Sequence, residues 1–334
     1  MMRLVQSYGQ IIADDNLWLA WTRFRAGKGH RDDVRIFERN LEANLLSLRA
    51  DLIGRTYAHG PYRSFEVRDP KRRLIHVPSV RDQVLHQAVW NILFPFFNAR
   101  FSPSATSCRP GMGTSAARAV IRRWGKRRSS RFVLHADVVK CFDSISHTRI
   151  EARMAEWIDC AETMALVSTI FSSYASTRID DRHGIPLGNL TSQLFCNVAF
   201  METDRALDAR FGIGRWVRYA DDLFVVGTDK DGLRSASEFV ANRLAAEGLE
   251  SRSEIRPHHG FEALGSRWFH GGFESVARAT RNRSGKLAVR RAKSFAAGQC
   301  SQNSLRSTYA SLAGLDATDL RWTKTLRTAI LEAI

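Results

Sequence analysis

The chain divides by the spacing of its apolar residues. Long stretches repeat them every three or four positions, as amphipathic helices do, and shorter stretches run or alternate them, as strands do. Over residues 1–50, Leu17, Trp18, Trp21 and Phe24 share one helical face, and Val34, Phe37, Leu41, Leu45 and Leu48 make a second stripe. The basic stretch between them, Arg23 to Arg35, reads equally as a solvated loop or as a contact to a phosphate backbone. From Tyr62, the order Phe65, Val67, then Leu74, Ile75 and Val77 beyond Asp69-Pro70 predicts a two-strand ribbon with Lys71, Arg72 and Arg73 at its tip. Val84, Leu85, Ala88, Val89, Ile92, Leu93 and Phe96 return to helical spacing, and Arg109-Pro110-Gly111-Met112-Gly113-Thr114 breaks it before the next helix.

Two apolar runs carry acids at their ends. The first, Arg131 to Val139, holds Asp137; after it, Thr148 with Glu151 suggests a capping box for a helix that buries Ile150, Met154, Trp157 and Ile158. The second is a pair of strands, Trp216-Val217 and Leu223 to Val226, joined by Tyr219-Ala220-Asp221-Asp222. Between the two runs, Gly184-Ile185-Pro186-Leu187-Gly188-Asn189-Leu190-Thr191-Ser192-Gln193 is a glycine-shaped loop that opens a helix through Leu194, Phe195 and Val198. Downstream, Leu233 to Leu249 reads as an amphipathic helix and Phe261 to Phe269 as a short hairpin. The adjacent His258 and His259 are expected to face solvent.

With 334 residues, 44% of them hydrophobic and 25% charged, the chain can build two or three lobes around a substantial core. A formal charge of +16 points to a polyanion partner, nucleic acid first. A membrane partner is not expected, since no lipidation pattern, signal peptide or long apolar run is present. Cys108, Cys141, Cys160, Cys196 and Cys300 are widely spaced without a C-x-x-C pair, which opposes a zinc site or disulfide framework; they read as small core residues in a reducing cytoplasm.

The charge changes how the acids and cations read. Side-chain to backbone hydrogen bonds in a turn are the plain explanation of Asp221 and Asp222. Adjacent carboxylates repel, however, and both stay ionised cheaply only if a cation holds them, so a hairpin facing a third carboxylate, Asp137, suits a metal site. Asp143, just before a helix, reads as a cap or turn residue rather than a fourth ligand. Lys71, Arg72 and Arg73, joined by Arg81, are either solvated hairpin charge or a triphosphate clamp. Arg109 sits either where a loop meets template or phosphate, or in a plain helix-opening turn. The crowd Arg278, Arg281, Arg283, Lys286, Arg290, Arg291 and Lys293 reads as a nucleic-acid backbone contact rather than a merely solvated face.

In order, Asp137 with Phe142 five residues on, Gly184 to Gln193, Tyr219 to Asp222 and Leu264-Gly265 resemble the palm of reverse transcriptases, over roughly residues 60–270. The form at 184–193 is similar to that of diversity-generating retroelement enzymes, as are Pro61-Tyr62-Arg63, Pro70 to Ile75, and Arg109-Pro110 before Gly113-Thr114. The resemblance implies an α+β right-hand polymerase. Its N-terminal helical extension would cover 1–60, fingers with part of the palm 61–135, an antiparallel-sheet palm 136–272 and a helical basic thumb 273–334. It implies Asp137, Asp221 and Asp222 as catalytic residues which, with the carbonyl of Val138, hold two Mg2+ ions, Mn2+ substituting. Lys71 and Arg73 would bind the triphosphate, Phe142 would gate the sugar in favour of deoxynucleotides, and Gln193 would lie near the incoming nucleotide.

The implied activity is RNA-directed DNA synthesis, an error-prone copying of a dedicated template RNA within a retroelement. The implied partners are template RNA, primer and cDNA, dNTPs, a structured noncoding RNA and a small basic helical accessory protein, in the cytoplasm and encoded by a bacterium or phage. An antiphage defence reverse transcriptase copying its own noncoding RNA, and a non-catalytic, maturase-like RNA-binding protein, are the alternatives. Ala220 stands where that subfamily often has Met or Val, and Ala263-Leu264-Gly265-Ser266 where it has Phe-Leu-Gly-Tyr. Residues 247–257 offer Arg252 and Arg256 but no lysine to protonate pyrophosphate. At this length, neither an RNase H nor an endonuclease segment is expected.

Overall fold

The computed structural model describes residues 3–68, 72–174 and 182–297, without the side chains of residues 276, 278–279 and 281–285. Helices and sheet are mixed in an α+β arrangement. At the start, β1 (Leu4–Val5) leads into four helices: α1 (Ser7–Ile11), α2 (Asp14–Arg25), α3 (Asp32–Arg39) and α4 (Leu41–Ile53). The first apolar stripe is buried through Leu17, Trp21 and Phe24, while Trp18 is left exposed. The predicted ribbon is β2 (Arg63–Arg68) paired antiparallel with β3 (Arg72–Val77), in the register Phe65 opposite Ile75 and Val67 opposite Arg73. Then α5 (Val80–Asn98) starts at Ser79, whose hydroxyl accepts from the Asp82 amide, and buries Val84, Leu85, Ala88, Val89 and Leu93. It packs against α2, where the Asn16 amide group donates to the Ala88 carbonyl at 3.2 Å.

The remaining chain alternates helices with strands. In order these are α6 (Thr114–Gly125), β4 (Phe132–Val138), α7 (Cys141–Ser144), α8 (His147–Ala155), β5 (Ile158–Asp159, parallel to β1), α9 (Ala161–Ser172), α10 (Leu190–Ala199) and α11 (Met201–Phe211). There follow β6 (Trp216–Tyr219), β7 (Asp222–Gly227), α12 (Lys230–Ala246), β8 (Ser251–Pro257), β9 (Glu262–Ala263), β10 (Ser266–Trp268), β11 (Glu274–Val276) and α13 (Arg278–Ala296). The main sheet has the strand order β6-β7-β4-β8. Its ladders run antiparallel. The amides of Arg131 and Val138 donate to the carbonyls of Gly227 and Asp221, and those of Val139 and His258 to Glu250 and Arg131, so partner numbers fall as β4 rises. Val133, Leu134, Ala136 and Val138 are buried, whereas Asp137 is only half-buried at the end of the strand.

The chain clusters into two compact units. One draws on the chain up to Gly113, on Ala136–Leu223 and on Ser237–Ser253; the other draws on Thr114–His135, Phe224–Ala236 and the described residues from Glu254 onward. Strands β4, β7 and β8 each pass from one unit to the other.

Two local expectations are corrected. The cap of α8 is Ser146, whose Oγ accepts from the Arg149 amide, rather than Thr148 with Glu151. Those two side chains instead accept from Arg182, at 3.1 and 2.5 Å. His258 is fully buried, because its amide closes the β8–β4 ladder on the Arg131 carbonyl; only His259 faces solvent. Cys141 and Cys196 are buried as expected and Cys108 and Cys160 half-buried, while Cys300 lies outside the described residues. No helix among the described residues is long and apolar enough to cross a membrane.

Candidate active site

The candidate residues that converge do so within the first unit, and the chain delivers them by four routes. The first is the end of β4. Past Asp137 and Val138, the left-handed Lys140 (φ 46°) turns the backbone sharply into α7, which carries the half-buried Phe142. The second is the β6–β7 hairpin. Ala220 holds its turn at φ 56°, a conformation that costs a side-chain-bearing residue about 1 kcal/mol or more. Asp221 completes the turn and Asp222 opens β7, so only one of the two adjacent acids belongs to the turn itself. The Val138 amide donates to the Asp221 carbonyl at 3.2 Å, which fixes the first two routes side by side.

The third route is the loop before α10. The amides of Gly184 and Ile185 donate to the carbonyls of Ile145 and Phe142, at 2.9 and 2.8 Å, and His147 Nε2 donates to the Gly184 carbonyl at 2.5 Å. The loop is thereby held along α7, and it delivers the half-buried Gln193 on the first turn of α10. The fourth route is β3. Its His76 amide donates to the Leu187 carbonyl at 2.9 Å, and a side chain at Gly188 (φ 114°) would stand 3.0 Å from the His76 carbonyl oxygen, so only glycine admits this approach. On β3, Arg72 is ion-paired with Glu66, whereas the exposed Arg73 makes no ion pair among the described residues. Lys71 lies outside the described residues.

The electrostatics of Asp221 record this convergence. Burial, and after it the charges of Asp222 and Asp137, push its carboxyl above the ordinary carboxylate range; a hydrogen bond to its own amide and the Arg73 charge pull the other way. Such a group stabilises the fold below its unfolded pKa of about 3.9, and that contribution is lost as pH rises through the higher folded value. Asp221→Asn should therefore raise the melting temperature at pH 7 by a few degrees in EDTA and change it little near pH 3.5. Melting curves showing the variant less stable than the parent at pH 7 would contradict this account. Among the described residues, no three His, Cys, Asp or Glu side chains already form a metal cage. The chemistry of the donor set nevertheless fits a hard divalent cation, since a carboxyl pushed up by two neighbouring carboxylates, as Asp221 is, is the kind of group such an ion relieves.

Behind the hairpin lies a residue that the sequence reading passed over. Arg218 is wholly buried, one position before Tyr219. Its Nε and Nη2 donate to the two carboxylate oxygens of the equally buried Asp204 at 2.9 and 2.6 Å, and Nη2 also reaches Asn197 Oδ1 at 3.2 Å. The Phe200 ring lies 4.4 Å from the guanidinium carbon. The remaining arm, Nη1, donates at 3.1 Å to the carbonyl of Ala220, the left-handed residue of the acidic turn. The signal in the sequence was a charge inside an otherwise apolar strand, which requires a buried partner.

Arg109 spends its guanidinium internally, on Asn98 Oδ1 and on the carbonyls of Asn98, Ser102 and Ala105, and so holds the 98–109 loop. Lys286, Arg290, Arg291 and Lys293 stand exposed on α13, whose buried residues include Ala288 and Ala292. The side chains of Arg278, Arg281 and Arg283 lie outside the described residues.

Known proteins share parts of this sequence. The chain is 23% identical over 206 residues to the COX1/OXI3 intron 1 protein of Saccharomyces cerevisiae, which covers 58% of this chain and 24% of that protein. The yeast COX1/OXI3 intron 2 protein matches at 23% over 207 residues with the same coverage. Protein YkfC of Escherichia coli is 23% identical over 189 residues, 54% of this chain and 49% of its own. The chain thus spans between a quarter and half of the length of these curated relatives. The family model described as reverse transcriptase (RNA-dependent DNA polymerase) matches residues 67–254, which is more than half of the chain and holds the β4 end, the Gly184–Gln193 loop and the acidic hairpin; the chain belongs to that family.

Proposed function

We propose that this chain copies RNA into DNA. The observation that carries the reading is that the charges of Asp222, Asp137 and Arg73 all act on Asp221, three acids and a cation with no ion pair among the described residues, drawn from strands far apart in sequence. Asp137, Asp221 and Asp222, with the main-chain carbonyl of Val138, would hold two Mg2+ ions, and Mn2+ would fit the same oxygen donors. When bound, such ions lower the pKa of a primer 3'-hydroxyl and neutralise charge on the triphosphate. Arg73, with Lys71, binds the phosphates; Gln193 lies alongside the nucleotide, and Phe142 closes the space beneath its 2'-carbon. In this reading the ribbon forms fingers, the main sheet a palm and the helix from Arg278 a thumb whose cations grip template and primer. Asp143, exposed on α7, is left outside the ligand set.

Within the family, the form of Gly184 to Gln193 supports the retroelement type, which mutagenically copies a dedicated RNA with a small basic helical partner. Two of the relatives are named as intron proteins, which favours a second reading in which the chain serves an intron-type RNA. A template and variable repeat pair in neighbouring DNA would separate the two. The polymerase reading itself rests on deoxynucleotide incorporation onto primed RNA in Mg2+. If purified protein adds no nucleotide to any primed RNA, the reading fails. The gate has its own test: Phe142→Val should lower the preference for dCTP over CTP by about 100-fold, roughly 3 kcal/mol. Unchanged selectivity in single-nucleotide additions would assign the gate to another residue.

A further inference from the structure

Many described arginines of this chain are ion-paired, but those between the end of α6 and the start of β4 are not. Lys126, Arg127, Arg128 and Arg131 line an open groove of about 600 Å³ with Gly125, Phe132, Pro257, His270 and Gly271, and no carboxylate is among its walls. All four cations are exposed, and none makes an ion pair among the described residues. The carboxylate of this unit that does meet α6, Glu274, is already taken by Arg118 and Arg122. Glycines shape the groove. A Cβ on Gly125 would stand 2.8 Å from the Gly272 nitrogen and the Phe269 carbonyl oxygen, so the end of α6 and the 269–272 turn touch backbone to backbone. At the rim, the half-buried Phe132 ring has the Arg131 guanidinium over it, 6.0 Å from its centre, and Lys230 of α12 over it at 5.7 Å.

We infer that this groove binds single-stranded RNA, its cations on the phosphates and the Phe132 ring beneath a base. A ring set among unpaired cations is the arrangement that takes an unpaired strand, because the base face needs a platform and the backbone needs a cationic track. The inference rests on the polymerase reading in one respect: when RNA is copied, the DNA product is paired, and the strand left unpaired is the RNA ahead of synthesis. None of the candidate catalytic residues lines the groove.

The test compares full-length protein with the K126Q/R127Q/R128Q/R131Q variant, by fluorescence anisotropy at several salt concentrations. The probes are a primed RNA with a single-stranded 5' overhang and a blunt RNA–DNA hybrid. The variant should bind the overhang RNA at least tenfold more weakly, with a salt slope smaller by about 0.7 for each lost phosphate contact, and should bind the blunt hybrid as the parent does. An unchanged slope, or equal losses on both probes, overturns the inference. Should the variant misfold, the parent protein supplies a second measurement. RNA carrying 4-thiouridine in the overhang should crosslink to the peptide containing Phe132, and crosslinks confined to other peptides or to the primer strand overturn the inference equally. Nucleotide addition by the parent on the same probe reads the polymerase assignment separately, so a groove effect without any addition would keep the inference and remove that assignment.

Discussion

Asp222→Asn and Asp137→Asn should each reduce nucleotide addition on primed RNA by at least about a thousandfold, a loss on the order of 4 kcal/mol in transition-state stabilisation. An amide keeps the size of the side chain but supplies one neutral oxygen where two charged ones stood, and hard divalent ions bind it poorly. Folding should survive, because both residues are half-buried at strand ends and each substitution removes a negative charge from an acidic cluster. Single-turnover incorporation, paired with a melting curve, separates the two effects. Addition by Asp222→Asn within tenfold of the parent rate, at an unchanged melting temperature, would remove this carboxylate from the chemistry.

The second large effect is expected at Arg218. Arg218→Met leaves Asp204 buried without its counterion and should cost about 3–5 kcal/mol of stability. That loss alone would be ordinary structural damage. The informative protein is the double variant R218M/D204L, which removes both charges and should regain most of the melting temperature, since apolar replacements of a buried pair are often neutral or better. It still lacks the hydrogen bond from Arg218 Nη1 to the Ala220 carbonyl, so the strained turn that carries Asp221 is unsupported. Turnover should stay about 10- to 100-fold below the parent, with nucleotide KM nearly unchanged, as small displacements of positioned groups cost rates of that size. If the double variant recovers both melting temperature and turnover, Arg218 is a structural residue only.

Periodicity was sufficient for much of this architecture because the elements concerned are local. The ribbon around Phe65 and Ile75, the helix through Val84 to Phe96, and the acidic hairpin are each specified by residues close in sequence, and each formed. What escaped was set by distant partners. Arg218 reads as a stray charge until Asp204, on α11, closes on it. His258 reads as half of an exposed pair until β8 finds β4 and turns it inward. Lys126, Arg127 and Arg128 drew no reading at all, because nothing local tells that the turn at 269–272 makes them one wall of a groove. The cap at Ser146 was missed for a different reason: Thr148 and Glu151 satisfy the same pattern two residues on, and Arg182 from another loop claims them.

The interleaving of the two units sets terms for synthesis on the ribosome. The unit that holds the three acids is assembled from three separated stretches, the last ending at Ser253. When Val138 and Val139 are made, the carbonyls that their amides will meet, those of Asp221 and Glu250, do not yet exist. At about 5–20 residues per second, translation takes roughly 6–20 seconds to reach Glu250, far longer than collapse or helix formation require. Throughout that interval β4, with Val133, Leu134, Ala136 and Val138 destined for the core, waits with both edges unpaired and is open to pairing with another nascent chain. Slower initiation, or a holdase that covers β4, would therefore raise the yield of native protein more than any gain in the stability of the finished fold.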